Sequence, residues 1–225
     1  MDAFILAAGR GERLRPLTDT TPKPLIDIGG RPIIEHHLMA LSAGGFQRVI
    51  INLSWLGDKI RQHLGDGSRF GLEIIYSDEG PVPLETAGGL VNALPLIQSD
   101  QILVLNADIV CDFDFTSLDI DANLDAMLVM VPNPPHHPDG DFCLDAHLIR
   151  HARSDRETLT YAGIGCFRRS LFEPMPQGVC ALRPVIDAII NCDALGGIRH
   201  NGHWFDIGSQ QQLSIARNFL IRKNP

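Results

Sequence analysis

Short apolar runs alternate with helical patterns through the first half of the chain, and this alternation constrains the fold more than any other feature. Each apolar run is too short for a helix of its own and is typical of a buried strand. Strands are predicted at residues 3–8, 48–53, 72–77 and 102–108, with helices at 31–45, 55–65 and 85–94. Such alternation predicts a mostly parallel sheet covered by helices on both faces.

The second half of the chain is less regular. Strands are predicted at 125–131, 161–167 and 204–207, helices at 182–190 and from about residue 209, and a proline-rich loop at 131–142. No internal repeat or linker divides the sequence, and 225 residues suit one sizeable domain. We therefore expect a single domain over residues 1–225.

Composition excludes several classes of partner. The formal net charge of −8 argues against non-specific nucleic-acid binding. No apolar run approaches the roughly 20 residues that span a bilayer, so no membrane association is expected. The five cysteines are scattered and form no CxxC pair, which is typical of reduced thiols in the cytoplasm. The sequence leaves both a monomer and a homodimer open.

A glycine loop follows the first predicted strand. Gly9-x-Gly11 can be an ordinary tight turn, but such loops also present backbone N–H groups to phosphates. Leu14 stands where a dinucleotide-binding fingerprint has its third glycine, and no Gly-Lys-Ser/Thr of a P-loop follows. The segment from Arg10 to Lys23 holds four basic and two acidic residues, a local charge of +2 that suits a small anionic ligand.

Lys23 lies between two prolines, Pro22 and Pro24. Both rings fix φ, and Pro24 predicts an extended conformation for the lysine. A solvated surface lysine is the usual alternative. Because a stiff segment suits a point charge that must meet a phosphate, and Arg13 and the glycine loop lie nearby, we interpret Lys23 as a phosphate ligand.

Two aspartates follow apolar stretches. Asp108 ends the fourth predicted strand, and ligands of open α/β sheets bind outside the carboxyl ends of strands. Asp206 stands in "HWFDIGS" and precedes a glycine. Either residue alone reads as a cap or turn aspartate. Together, with phosphates and water, they could hold Mg²⁺.

The assembled motifs resemble those of one family. "GRGERLRPLTDTTPKPL" is similar throughout to the signature of sugar-1-phosphate nucleotidyltransferases, and "LETAGGL", "NAD" and "HWFDIGS" are similar to the family's base-reading and metal elements. The resemblance implies a Rossmann-like three-layer α/β sandwich with a mixed, mostly parallel central sheet. It also implies transfer of a nucleotidyl group from an NTP to a sugar 1-phosphate with release of pyrophosphate.

The resemblance also implies residue roles. It makes Arg13 and Lys23 catalytic phosphate ligands, and Asp108 and Asp206 ligands of the cofactor Mg²⁺. It makes Asn106 and Asp141 sugar-phosphate ligands. The nucleotide-binding set that it implies is Gly9, Gly11, Glu12, Arg13, Lys23, Glu85, Thr86 and Gly88. The chain departs from the family in having Asn-Ala-Asp at the metal element and a longer "EGPVPLETAGG" before the base-reading run.

Within the family, "GDGSRFGLEIIYS" and "NPPHHPDGDF" are similar to uridylyltransferases of peptidoglycan recycling that act on N-acetylmuramate 1-phosphate. This similarity favours UTP as the nucleotide. The alternatives are GTP with mannose or heptose 1-phosphate, and dTTP or UTP with glucose 1-phosphate. A glycosyltransferase of similar fold and a non-catalytic nucleotide-binding regulatory domain are further alternatives.

Overall fold

The structure, a computed structural model, describes residues 1–223. Its strands are β1 (Asp2–Leu6), β2 (Arg48–Leu53), β3 (Glu73–Asp78), β4 (Gln101–Asn106), β5 (Ile109–Cys111), β6 (Ala126–Val131), β7 (Phe142–Asp145), β8 (Leu148–His151), β9 (Thr158–Arg168), β10 (Leu195–Arg199) and β11 (Trp204–Asp206). Its helices are α1 (Leu17–Thr20), α2 (Ile33–Ala43), α3 (Gly57–Leu64), α4 (Glu85–Ala93), α5 (Arg183–Asn191) and α6 (Gln210–Lys223). None of the helices within residues 1–223 has the length and apolar character needed to cross a bilayer.

Nine strands form one central sheet in the order β3-β2-β1-β4-β9-β6-β10-β8-β7. Strands β1 to β4 pair in parallel, whereas β9 runs antiparallel to β4 and β6, and β8 antiparallel to β10 and β7. Seven strands of the sheet therefore point one way, and only β8 and β9 are reversed. This mixed, mostly parallel sheet confirms the predicted α/β fold.

Apolar residues cover both faces of the sheet. In β1, Ala3 and Ile5 face a cluster that includes α2 and α3, while Phe4 faces a cluster that includes α4 and α5. This arrangement follows from the pleat, because neighbouring side chains of a strand point to opposite faces. The three layers of the predicted sandwich are thus a helical layer, the sheet and a second helical layer.

The register of the parallel strands sets the position of the site. Leu6 at the end of β1 pairs with Asn52 in β2 and with Asn106 in β4. The loop after β1 therefore leaves the sheet between two asparagines. The carboxyl edge of β1, β2 and β4 is where the sequence predicts the ligand site.

A second sheet of two strands, β5 and β11, carries the third apolar cluster. In that cluster Leu213 and Ala216 of α6 pack with Leu14 and Ile26 of the segment after the glycine loop. The last helix thereby supports the segment that was predicted to bind phosphate.

Four strands were not predicted: β5, β7, β8 and β10. β5 is three residues long, and β7 and β8 form a short hairpin inside the stretch that the sequence left unassigned. β10 contains Gly196, where a β-carbon would lie 2.1 Å from the Met127 sulfur of β6. A strand with such glycines has little β propensity of its own and depends on its neighbours.

Candidate active site

A cleft of about 510 Å³ opens at the carboxyl edge of β1, β2 and β4. Most of the predicted site residues line it. The lining residues are Leu6, Ala7, Ala8, Gly9, Gly11, Glu12, Arg13, Leu14, Lys23, Pro24, Asn52, Glu79, Pro83, Glu85, Thr86, Asn106, Ala107, Asp108 and Gly208. Gly88, Asp141 and Asp206 lie outside this lining.

The glycine loop depends on glycine at one position. Gly11 has φ +67°, in the left-handed region, and a β-carbon there would lie 3.0 Å from Cγ2 of Thr18 and 3.2 Å from Cβ of Lys23. Among the described residues, the backbone N–H groups of Gly9, Gly11 and Glu12 donate to no other group. The loop can therefore offer these donors to an anion in the cleft.

Lys23 is 9% exposed and its ammonium reaches across the fold to the metal element. Its Nζ donates to Oδ2 of Asp108 at 2.5 Å. The prediction of an extended Lys23 is wrong: the lysine is the first residue of a 3-10 turn, and Pro22 is the extended residue. The turn is closed by a bond from Ile26 N to Lys23 O of 3.1 Å, and Pro24 within it needs no N–H partner.

Asp108 and Asp206 are brought together by the β5–β11 ladder. Asp206 pairs with Ile109, and the N–H of Ile207 donates to the carbonyl oxygen of Asp108 at 2.8 Å. Burial, and next the charge of Asp108, raise the pKa of Asp206 above its usual value. The positive charge of Lys23 opposes this effect. The two carboxylates therefore form a region of excess negative charge that favours a cation.

The donor chemistry of this pair fits a hard divalent cation such as Mg²⁺, because carboxylate oxygens are its preferred ligands. Within residues 1–223 no group of three or more His, Cys, Asp or Glu side chains gathers as a metal site. A cation bound at this pair would have two protein ligands, the carboxylates of Asp108 and Asp206, and would take its other ligands from substrate and water.

Arg13 and Glu12 project from a 3-10 turn, Glu12–Leu14, that follows the glycine loop. Both side chains are exposed and line the cleft. A β-carbon at Gly208 would lie 3.0 Å from Nη2 of Arg13, so the absence of a side chain at residue 208 leaves room for the guanidinium. Gly208 lies two residues after Asp206, and Arg13 is therefore held near the carboxylate pair.

The predicted base-facing segment divides into two roles. Glu85 and Thr86 line the cleft, and Glu85 has φ +61°, an uncommon conformation for a residue with a side chain. Gly88 contacts a neighbouring loop instead: its N–H donates to Cys180 O at 3.0 Å, and a β-carbon would lie 2.2 Å from Gly178 O. Gly88 is thus a packing glycine behind the cleft wall.

Of the two predicted sugar-phosphate ligands, Asn106 lines the cleft and Asp141 does not. Asn106 packs on Gly163, where a β-carbon would lie 2.6 Å from its Nδ2. Asp141 accepts a hydrogen bond from the N–H of Tyr161 at 2.8 Å, and its other oxygen lies 3.1 Å from Nε2 of His137. Its role in binding sugar phosphate stays a prediction.

Sequence reasoning missed two cleft residues, Asn52 and Glu79. Asn52 is 2% exposed; its Oδ1 accepts from Ala7 N at 2.6 Å and its Nδ2 donates to Glu79 Oε1 at 2.6 Å. Glu79 Oε2 accepts from Leu84 N, just before α4, at 2.7 Å. This hydrogen-bond network joins the backbone just before the glycine loop to the predicted base-facing segment. An asparagine near the carboxyl end of the otherwise apolar run "RVIINL" is the signal that could have found it.

Comparison with known proteins gives concordant matches. The family model described as nucleotidyl transferase matches residues 2–142, more than half of the chain. An N-acetylmuramate alpha-1-phosphate uridylyltransferase of Neisseria meningitidis is 44% identical over 96% of this chain and 97% of its own length. A mannose-1-phosphate guanylyltransferase of Mycobacterium tuberculosis is 30% identical over 99% of this chain, which spans only 65% of that relative.

The fold also matches solved structures. The inositol-1-phosphate CTP transferase of T. maritima superposes with a TM-score of 0.78, over 99% of this chain and 95% of that one. Sequence identity in that pair is 19%, so the likeness concerns the fold alone.

Proposed function

Since this chain belongs to the nucleotidyl transferase family, we propose that it transfers the uridylyl group of UTP to N-acetylmuramate 1-phosphate, forming UDP-N-acetylmuramate and pyrophosphate. The observation that carries the choice of substrates is the 44% identity, over nearly the full length of both chains, with a relative of that name. The arrangement of Lys23, Asp108 and Asp206 at the cleft supports the class of reaction.

The chemistry requires neutralisation of charge more than proton transfer. The attacking group is a phosphate oxygen, largely ionised at neutral pH because the second phosphate pKa is about 6. A general base is therefore unnecessary. The obstacle is the approach of two polyanions, since two unit charges 4 Å apart repel by about 4 kcal/mol at an effective dielectric near 20.

We assign this neutralisation to the residues of the cleft. The free N–H groups of the glycine loop, with the guanidinium of Arg13, hold the triphosphate, and Lys23 places its ammonium between the phosphates and Asp108. Asp108 and Asp206 hold Mg²⁺, which when bound neutralises phosphate charge and aligns the reacting groups. Preorganised positive charge of this kind acts most strongly in a partly desolvated cleft.

We place the reaction in peptidoglycan recycling in the cytoplasm. N-acetylmuramate is a cell-wall sugar, so a 1-phosphate of it is the chemical form in which a recycled wall sugar can re-enter a nucleotide-sugar pool. The five cysteines of the chain are free thiols, which suits a reducing compartment.

The test is a substrate panel. UTP, GTP, dTTP, CTP and ATP are each paired with the 1-phosphates of N-acetylmuramate, N-acetylglucosamine, glucose and mannose, and pyrophosphate release is measured in Mg²⁺. We expect the highest kcat/KM for UTP with N-acetylmuramate 1-phosphate. A higher value for GTP with mannose 1-phosphate would replace the proposed substrates, and no pyrophosphate from any pair would refute the proposed reaction.

A further inference from the structure

Behind the glycine loop lies a relay of hydrogen bonds that the proposed reaction does not use. The Thr18 hydroxyl, on a residue 1% exposed, donates to the carbonyl oxygen of Gly11 at 2.9 Å. The indole Nε1–H of Trp55 donates to the carbonyl oxygen of Thr18 at 3.0 Å. Neither Thr18 nor Trp55 lines the cleft, so these hydrogen bonds reach the glycine loop from outside the cleft lining.

The Thr18 hydroxyl determines which way one peptide group faces. The Gly11 carbonyl also accepts from Leu14 N at 3.0 Å, so two donors hold it toward the interior. The Gly11–Glu12 peptide is trans, and the C=O and N–H of a trans peptide point in opposite directions. The Glu12 N–H therefore points away from Thr18, and among the described residues it finds no acceptor.

Packing fixes the same peptide group. The side chains of Thr18 and Lys23 leave little room for a β-carbon at Gly11, which would lie 3.0 Å from Cγ2 of the first and 3.2 Å from Cβ of the second. The methyl group of Thr18 thus confines the left-handed turn that its hydroxyl orients.

Trp55 anchors this arrangement to the neighbouring part of the fold. It lies in the connection between β2 and α3. The guanidinium of Arg10 stacks over its ring, 4.5 Å from the ring centroid. From α3, Lys59 donates to the carbonyl oxygen of Thr20 at 2.5 Å. The one-turn helix α1 is therefore held at two carbonyl groups, that of Thr18 by the β2–α3 connection and that of Thr20 by α3.

We propose that Thr18 and Trp55 are positioning residues for the triphosphate: they hold the 9–12 backbone with its N–H groups directed at the β- and γ-phosphates of the NTP. The inference deepens the proposed function and rests on it. The relay acts on the glycine loop alone. Its loss should therefore weaken binding of a triphosphate and leave binding of a monophosphate unchanged.

Thr18→Val and Thr18→Ser form a matched pair, since the first removes the hydroxyl at nearly constant volume and the second keeps it. Calorimetric titration with UTP and with UMP, in Mg²⁺ and without sugar phosphate, gives the two dissociation constants. For Thr18→Val we expect the Kd for UTP to be about three- to tenfold higher, as for the loss of one hydrogen bond. The Kd for UMP should stay within about twofold of the parent value. Thr18→Ser is expected to bind UTP within about twofold of the parent.

Trp55→Phe is a second variant that leaves the buried threonine intact. It keeps a smaller aromatic ring at this position and removes the N–H donor, so we expect the same selective loss of affinity for UTP, of about twofold to fivefold. If Thr18→Val does not fold, which thermal unfolding would reveal, the dissociation constants of Trp55→Phe for UTP and UMP test the positioning role instead.

The outcomes separate the two proposals. A parent protein that binds no UTP refutes the proposed function. If the parent binds UTP, the positioning role is refuted by variants that bind UTP as tightly as the parent, or that lose affinity for UTP and UMP by the same factor. Either result leaves the proposed function standing.

Discussion

Lys23 is the residue on which the account depends most at the smallest scale. It is a buried ammonium that forms an ion pair with Asp108, which is also a proposed ligand of Mg²⁺. Removing the ammonium leaves the phosphates and the carboxylate without their fixed counter-charge. For Lys23→Ala we expect kcat/KM to fall on the order of 10²-fold or more, as for the loss of a preorganised electrostatic contact.

Pyrophosphate release measures this effect. We expect Asp108→Asn to lower kcat/KM by a similar factor. Thermal unfolding of each variant is the control for folding. Near-normal turnover in either folded variant would remove that residue from the proposed mechanism.

Two arginines of the same segment allow a matched comparison. Arg13 lines the cleft, whereas Arg15 pairs with Asp19 at 2.8 Å and its side chain is 54% exposed. We expect Arg13→Ala to raise KM for the NTP about tenfold or more, since it removes one charged contact to phosphate. Arg15→Ala should stay within about twofold of the parent, because an exposed ion pair contributes little. Steady-state kinetics with varied UTP measure both, and equal effects would contradict the assignment of Arg13.

At the scale of the element, the glycine loop, Lys23 and the first four strands could be predicted because each is local in sequence. The ladder between β5 and β11 could not, since it joins three-residue strands about 95 positions apart, and this ladder brings Asp206 next to Asp108. The sequence suggested the two aspartates as a pair because each follows an apolar stretch, and the family resemblance implied their role as metal ligands. Thr18 and Trp55 were missed for a related reason. A side chain that acts by positioning another residue belongs to no motif with a fixed sequence spacing, so no local pattern identifies it.

Helix α2 contains a histidine that should make the fold sensitive to acid. Burial, and next the charge of His36, lower the pKa of His37 from 6.5 to about 4. A base whose pKa is lower in the folded state binds protons preferentially when unfolded. Its contribution to stability is therefore constant above about pH 6.5 and decreases as the pH falls toward 4, by about 3 kcal/mol in all.

His37→Leu tests this expectation, because an apolar residue of similar size cannot be protonated. The free energy of unfolding, from urea titrations at pH 7.5, 6 and 5, should fall less steeply with acid in the variant than in the parent. His147→Gln, at an exposed position, is the control and should follow the parent. Parallel pH profiles for parent and His37→Leu would contradict the buried neutral state of His37.

At the scale of the whole molecule, an acidic chain places two basic side chains, Arg13 and Lys23, beside a pair of carboxylates, Asp108 and Asp206. Because burial, and next the charge of Asp108, raise the pKa of Asp206, this pair of carboxylates should require a cation when a polyanionic substrate binds. We expect turnover to vanish in excess EDTA and to return with Mg²⁺. Full activity in EDTA would contradict the metal assignment.

Asp206→Asn provides the residue-level check of that assignment. Loss of one of two carboxylates should raise the Mg²⁺ concentration for half-maximal rate on the order of tenfold or more, and weaken binding of Mn²⁺ in a spectroscopic titration. Asp112→Asn is the matched control, because Asp112 follows the same short strand β5 that Asp108 precedes. An unchanged metal dependence in Asp206→Asn would show that the carboxylate binds no metal.

A competition reaction can decide which nucleotide and which sugar 1-phosphate the enzyme prefers. Enzyme is mixed with equal concentrations of UTP, GTP and dTTP and of the 1-phosphates of N-acetylmuramate, glucose and mannose, and the early products are identified by mass. Under competition the product ratio equals the ratio of kcat/KM values. The account predicts UDP-N-acetylmuramate as the dominant product; a predominance of GDP-mannose, UDP-glucose or dTDP-glucose would contradict it.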